Sequence, residues 1–293
     1  MANRHFAKFG DLWKHLPLVE ILAIERPKGY WESHAGSAVY QMVDDAERRY
    51  GIGHFVEVAP GLAGLDASRY RHHVARLNGV GGRVVRYPGS AMLAMLELGV
   101  SCSYLFCDLD PASAADLRAA GTRLGLGSQA KVREQDGMTE LQQALSSVGP
   151  DDAVVVHVDP YDPWEVGPSG WSALDLAEAL TSAGVGLIYW YGYDRPADRG
   201  WAFAELSARS PAGVLWSGDM MVSAEAGSPG GHFGSATAPG TGCGVVCANI
   251  PREAIQAAQR LGEELATAYA GATLPNGTRG RLDFTVRAIG TPR

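Results

Sequence analysis

Residues 154–158, Val-Val-Val-His-Val, place four valines in five positions and then stop on Asp159-Pro160. β-Branched residues at that density, without polar alternation, make a strand buried on both faces, and such strands sit in the middle of parallel sheets covered by helices. Other segments repeat the arrangement. "GYWESHAG" (29–36) is a short strand running into a glycine turn. "CSYLFCDLDP" (102–111) is an apolar strand ending in acids, with "ASAADLRAAGTRLG" as its helix. "AKVREQDG" (130–137) is followed by helical "MTELQQALSSVG", and "DAVVVHVDP" (152–160) by "SALDLAEALTSAG". "VGLIYWYGY" (185–193) and "GVVCANIP" (244–251) are further buried strands, the latter preceding the helix "REAIQAAQRLGEELATAYA"; "RLDFTVRAI" closes the series. Strands alternating with helices of about a dozen residues predict a doubly wound, mostly parallel α/β sheet, whose ligands bind beyond the carboxyl ends of the strands. The acids and glycines of this chain fall at those ends.

Two segments break the rhythm. Residues 42–86 read as a small helical insertion, which leaves 1–41 and 87–293 as the sheet domain. The insertion carries the basic run "SRYRHHVARLNG", so Arg69, Arg71, His72, His73 and Arg76 form either an RNA-facing patch or, as charge runs on helices usually do, a solvated face. Residues 224–242 are too rich in Gly, Ser and Pro for a regular element and are expected to form a long loop, a candidate lid.

Composition narrows the partners. Hydrophobic residues make up 46% and charged residues 19%, ordinary for a globular protein. No apolar stretch reaches the roughly 18 residues of a membrane span, and "MANRHFAKFGDLWKH" has no apolar signal core, so a cytoplasmic protein without membrane contact is expected. Cys102, Cys107, Cys243 and Cys247 lack metal-ligand spacing and read as small buried hydrophobes in a reducing compartment; no metal is expected. A net charge of −7 suits a cationic small molecule better than a long stretch of folded RNA.

The strand ends also match what S-adenosylmethionine requires. Its ribose diol needs a carboxylate at the end of the second strand, where Asp108 stands with Asp110 as the fallback. The adenine amino group needs an acceptor one strand further on, which Asp136-Gly137 supplies. Its tail needs a turn of small residues, and "HAGSA" (34–38), with Gly36, provides one. Ser90 precedes an apolar helix and reads as an N-cap, at a helix start that can also receive a carboxylate.

"GDLWKH" (10–15), "SHAG" (33–36) with Tyr40, "YPGS" (87–90), "CDLDP", "QDG", "VDP", "IYWY" and "TGCGVVCANIP" resemble, in order, successive blocks of the RlmJ family. Those enzymes methylate N6 of an adenine in large-subunit ribosomal RNA. The resemblance runs from the first dozen residues to about residue 255. It implies a Rossmann-like class I methyltransferase fold with a small helical insertion. It also implies S-adenosylmethionine as cofactor, contacted by His15, His34, Ser90, Asp108, Asp136 and Gly137, with Asp159 as cofactor neighbour and catalytic residue. Taken alone, His15 and His34 read equally as buried histidines satisfied by backbone groups, and Lys14 reads as a surface lysine.

The chain departs from the family at the catalytic strand. Where the family has Asp-Pro-Pro-Tyr, with the tyrosine stacking on the flipped base, this sequence has Asp159, Pro160, Tyr161 and Asp162. Stacking contributes roughly 1–3 kcal/mol per base, and a carboxylate at that place exchanges it for attraction to a cation. The N-terminal tyrosine of the family has no counterpart, although His5 aligns. The expectation is therefore an N-methyltransferase of a small cationic amine such as an aminosugar or aminoglycoside. Asp159, Pro160 and Tyr161 form the catalytic motif, and Asp162, Trp164, Asp194 and His5 bind substrate, with Glu165 as a further rim acid. The alternatives are the rRNA adenine reaction and an inactive relative that binds RNA or protein.

Overall fold

The computed structural model describes residues 6–79, 83–149, 152–210, 214–224 and 239–290. The strands are β1 (Gly29–Glu32), β2 (Val39–Gln41), β3 (Arg86–Pro88), β4 (Ser103–Cys107), β5 (Ala130–Arg133), β6 (Val154–Val158), β7 (Gly186–Tyr193), β8 (Leu215–Ala224), β9 (Gly242–Ala248), β10 (Ala272–Thr273) and β11 (Arg279–Ile289). The helices are α1 (Phe9–Glu25), α2 (Ala46–Arg48), α3 (His54–Val58), α4 (Ala63–Ala67), α5 (Arg69–Asn78), α6 (Ser90–Leu98), α7 (Pro111–Arg123), α8 (Gly137–Leu145), α9 (Ala173–Ser182), α10 (Trp201–Arg209) and α11 (Arg252–Ala268).

The main sheet runs β10-β11-β8-β9-β7-β6-β1-β4-β5. The pairs among β5, β4, β1, β6 and β7 are all parallel. β9 pairs antiparallel with both β7 and β8, and β11 antiparallel with β8. This is the doubly wound, mostly parallel, Rossmann-like α/β sheet expected from the sequence. The antiparallel β8–β9 pair is an addition the strand–helix rhythm did not indicate. Strand order reverses between β1 and β6, and in such sheets that junction opens a crevice at the carboxyl ends. Val155 to Val158 are buried, as a central strand requires.

Each face of the sheet has its own core. α1, α6, α7 and α11 cover one face with Leu12, Trp13, Leu93, Leu117 and Leu261. α8, α9 and α10 cover the other with Leu141, Leu174, Leu176 and Leu206. No helix among the described residues is long and apolar enough to cross a membrane. The four cysteines are free and buried.

Helices α2 to α5 lie between β2 and β3, which pair antiparallel with each other. Ile52, just before α3, and Phe55, Tyr70 and Val74 of the helices join the core of the α1 face. The basic run divides: His72 and Arg76 are exposed, as on a solvated face, while Arg69, Arg71 and His73 meet acids. Arg69 Nε and Nη2 donate to the buried Glu97 at 3.0 and 3.1 Å, and His73 Nε2 lies 2.7 Å from the same carboxylate. Arg71 pairs with Asp66 at 2.7 Å. These contacts fasten α5 to α6 through Glu97 and to α4 through Asp66. Residues 225–238, most of the segment expected to be a lid, lie outside the described residues.

Candidate active site

The crevice beyond β1 and β6 is roofed by α1. Pro17 lies within α1, which is apolar on nearly every side. Trp13 anchors the helix by donating Nε1–H to the Gly218 carbonyl at 2.8 Å and by meeting Phe284 edge-on at 5.2 Å. That placement turns Asp11, Lys14 and His15 into the crevice, beside His34, Gly36, Ser90 and Asp159.

Lys14 is not a surface lysine. Its ammonium sits 2.8 Å from Asp159 Oδ2 and 2.9 Å from Asp11 Oδ1, and 5.3 Å from the centre of the Trp190 ring. Burial would by itself raise Asp159's pKa. The Lys14 ammonium, helped by His157 and His34, outweighs it and holds the carboxyl below the usual range. Asp11 goes the other way, because burial outweighs the same ammonium there. Asp159 Oδ2 holds Lys14, and Oδ1 carries no hydrogen bond among the described residues, with 18% of the side chain exposed.

His15 is buried. Tyr70 donates to the Tyr87 oxygen at 3.2 Å, so the Tyr87 hydroxyl is free to donate to His15 Nδ1 at 2.9 Å, which assigns the ring proton to Nε2. Burial, with Lys14 and His157 nearby, pushes the imidazole well below its ordinary pKa and keeps it neutral. His34 is exposed at the mouth, its Nδ1 2.9 Å from Ser33 Oγ. Ser90 is not the N-cap of α6. Gly89 holds that place without a side-chain cap, while the Ser90 hydroxyl donates to Glu32 at 2.9 Å. The fully buried Glu32 also accepts from Tyr30 and lies 3.8 Å from His157.

Two glycines let backbone come close. Gly36 has φ +61°, and a Cβ there would fall 2.4 Å from the Tyr40 hydroxyl. Its N–H donates to Asp108 at 2.7 Å. A Cβ on Gly137 would lie 2.0 Å from the Ser33 carbonyl oxygen. Gly137→Ala is thus expected to destabilise the fold by about 2–3 kcal/mol, roughly 5–10 °C in melting temperature by calorimetry.

Asp108 Oδ2 takes Gly36 N–H and Oδ1 takes Asp110 N–H, leaving each oxygen a further lone pair. Asp110, the fallback, caps α7 by accepting from Ser113 N–H and hydroxyl. Asp136 caps α8 through Oδ2, which accepts from Thr139 N–H and hydroxyl. Its Oδ1 carries no hydrogen bond among the described residues, and Gly167 lies close to both oxygens.

Of the remaining expected residues, Pro160 is buried behind Asp159. Tyr161 is 95% exposed and does not line the crevice. Asp162 and Asp194 are exposed, the former accepting from Trp164 N–H at 2.9 Å. Trp164 packs on Trp201, with ring centres 5.5 Å apart. His5 lies outside the described residues. Asp11, Lys14 and Glu32 were missed as site residues. Glu32, an acid ending an apolar strand, carried the same signal that singled out Asp108.

No known family model and no curated protein matches the chain. Among solved structures it is similar to protein LPL1258 from Legionella pneumophila, described with the family model DUF519. Identity is 19% and the TM-score 0.71, over 97% of this chain and 98% of that one. At that identity the likeness is one of fold. It is similar more distantly to a SAM-dependent methyltransferase from Agrobacterium tumefaciens, with TM-score 0.36 and 19% identity over 54% of this chain and 53% of that one. A probable spermidine synthase from Corynebacterium glutamicum gives TM-score 0.42 and 12% identity over 94% and 75%. These two values are too low to inform the chemistry of this chain.

Proposed function

We propose that the chain is a cytoplasmic S-adenosylmethionine-dependent N-methyltransferase acting on an amino group of a small cationic amine. In this reading it is an RlmJ-like protein with a diverged catalytic motif. Residues 1–41 and 87–293 carry the chemistry and 42–86 are the helical insertion. One observation carries the reading: Asp159, at the carboxyl end of the central strand, is an anion with one oxygen on an ammonium and the other open to the crevice.

The residues present fit the cofactor. Asp108 retains acceptor capacity for a ribose diol, Asp136 Oδ1 for an adenine amino group, and the start of α6 has no side-chain cap to compete with a carboxylate. When bound, the cofactor supplies an electrophilic methyl group on a sulfonium sulfur. Asp159 Oδ1 then accepts a hydrogen bond from the substrate nitrogen and aims its lone pair. An acid held below its ordinary range is a poor proton sink, so Asp159 orients the amine and does not deprotonate it. Lys14 assists differently: a fixed ammonium beside the amine favours its neutral, nucleophilic form. Catalysis is chiefly positioning.

A second reading, methylation of an rRNA adenine, draws on the exposure of Tyr161 next to Pro160. The engagement of Arg69, Arg71 and His73 with acids weighs against it. The inactive-relative reading conflicts with the intact acceptors at 108, 136 and 159. The test is transfer of labelled methyl from the cofactor to a panel of aminosugars and, in parallel, to protein-free ribosomal RNA. Incorporation into amines alone supports the proposal; incorporation into RNA alone, or into neither, overturns it.

A further inference from the structure

Beyond the catalytic crevice the chain after β6 and the end of β7 form a second cleft, lined by Trp164, Gly192, Tyr193, Asp198, Trp201 and Glu205. Trp201 is fixed by donating Nε1–H to the Gly192 carbonyl at 3.1 Å and by meeting Tyr191 edge-on at 5.2 Å. Trp164 lies against it, tilted by 34° and 53% exposed, so an indole face is turned to solvent.

Acid dominates around these rings. Asp162, Glu165 and Asp194 are exposed and carry no ion pair among the described residues. Asp198 pairs with Arg195 at 2.8 Å. Glu205 lies 3.8 Å from Arg209, but that guanidinium is already claimed by Asp175 at 2.8 Å and Glu178 at 3.6 Å. Indole faces bordered by several carboxylates, of which Asp162, Glu165 and Asp194 carry no ion pair among the described residues, attract a cation by quadrupole and by charge together. The same charges repel the phosphates of a nucleic acid.

The register places this cleft relative to the chemistry. Tyr189 stands opposite Val158, so Trp190 is level with Asp159. Gly192 and Tyr193 lie two and three residues further along, about 7–10 Å at the rise of a strand.

We infer that this cleft is a second ammonium site, which binds the far end of the amine substrate while Asp159 holds the reacting nitrogen, so that the preferred substrates carry at least two well-separated cationic groups. This rests on the proposed amine methylation and specifies its substrate class.

The test compares 1,8-diaminooctane with octylamine, matched in chain and differing by one ammonium, by calorimetry in the presence of S-adenosylhomocysteine. Binding of that cofactor product also reports that each variant is folded. The diamine is expected to bind the native chain about tenfold more tightly, and Glu205→Gln and Trp164→Ala each to abolish the preference. Equal binding of the two amines, or a preference that survives both substitutions, overturns the second site and leaves methylation at Asp159 standing. Absence of S-adenosylhomocysteine binding by the native chain overturns the proposed function itself, and the second site with it. Adenosine competing at Trp164 would reassign the cleft to a stacked base and overturn the inference.

Discussion

Asp159→Asn is expected to lower methyl-transfer turnover by about 10²–10⁴-fold while leaving cofactor affinity within about twofold. The amide keeps the volume and one acceptor oxygen, so β6 and its neighbours are undisturbed. It loses the charge, however, and Lys14 then claims the remaining oxygen, because an NH₂ group cannot face an ammonium 2.8 Å away. The substrate nitrogen is left with a donor where it needs an acceptor. Single-turnover rates, with donor binding measured separately by calorimetry, check this. Turnover at the native rate would remove Asp159 from the mechanism.

Lys14→Met is expected to affect stability most. The ammonium is 12% exposed and bridges two carboxylates that are themselves 9% and 18% exposed. Removing it leaves Asp11 and Asp159 facing one another without a counter-ion. Breaking a buried pair in this way costs about 3–5 kcal/mol, seen as a lower denaturant midpoint. The variant should also take up a proton near neutral pH, since two neighbouring carboxyls do not both ionise easily. The pH dependence has a defined sign. Burial would lower Lys14's pKa, but Asp11 and Asp159 together raise it above its usual value. The stability it contributes is therefore fully present below the unfolded value of about 10.4 and is lost as pH rises beyond that. Asp159, held low, contributes stability above its unfolded value of about 3.9 that is lost as pH falls through the lower folded one. The native chain should thus show an alkaline loss of stability that Lys14→Met lacks.

Much of the sheet was legible because a central parallel strand needs little beyond its own composition. Val154–Val158 and Ser103–Cys107 announce themselves, and an acid at such an end has few structural reasons to be there. Asp108, Asp136 and Asp159 followed from that local reading. Helix α1 did not, since Pro17 interrupts its interior and its apolar residues face every direction, leaving no amphipathic period. Lys14 was misjudged for a related reason: its partner Asp159 is 145 residues away. The acid partner of Arg69 and His73 on α5 was not legible because Glu97 lies on another helix. β8 escaped because Ser217, Gly218 and Asp219 break its apolar run, although all three are buried against neighbours supplied by the fold.

The bed on which α1 lies has a consequence for the order of assembly. Trp13 rests on Gly218 and Phe284, Phe9 on Tyr269, and the Tyr269 hydroxyl closes on the Gly51 carbonyl at 2.9 Å. Helix α1 is thus seated by residues 205 or more positions further along the chain. A chain cut before Phe284 would lack part of the seat that turns Lys14 toward Asp159. The charged pair at the crevice is thus completed only when residues near 14 and residues near 284 have come together.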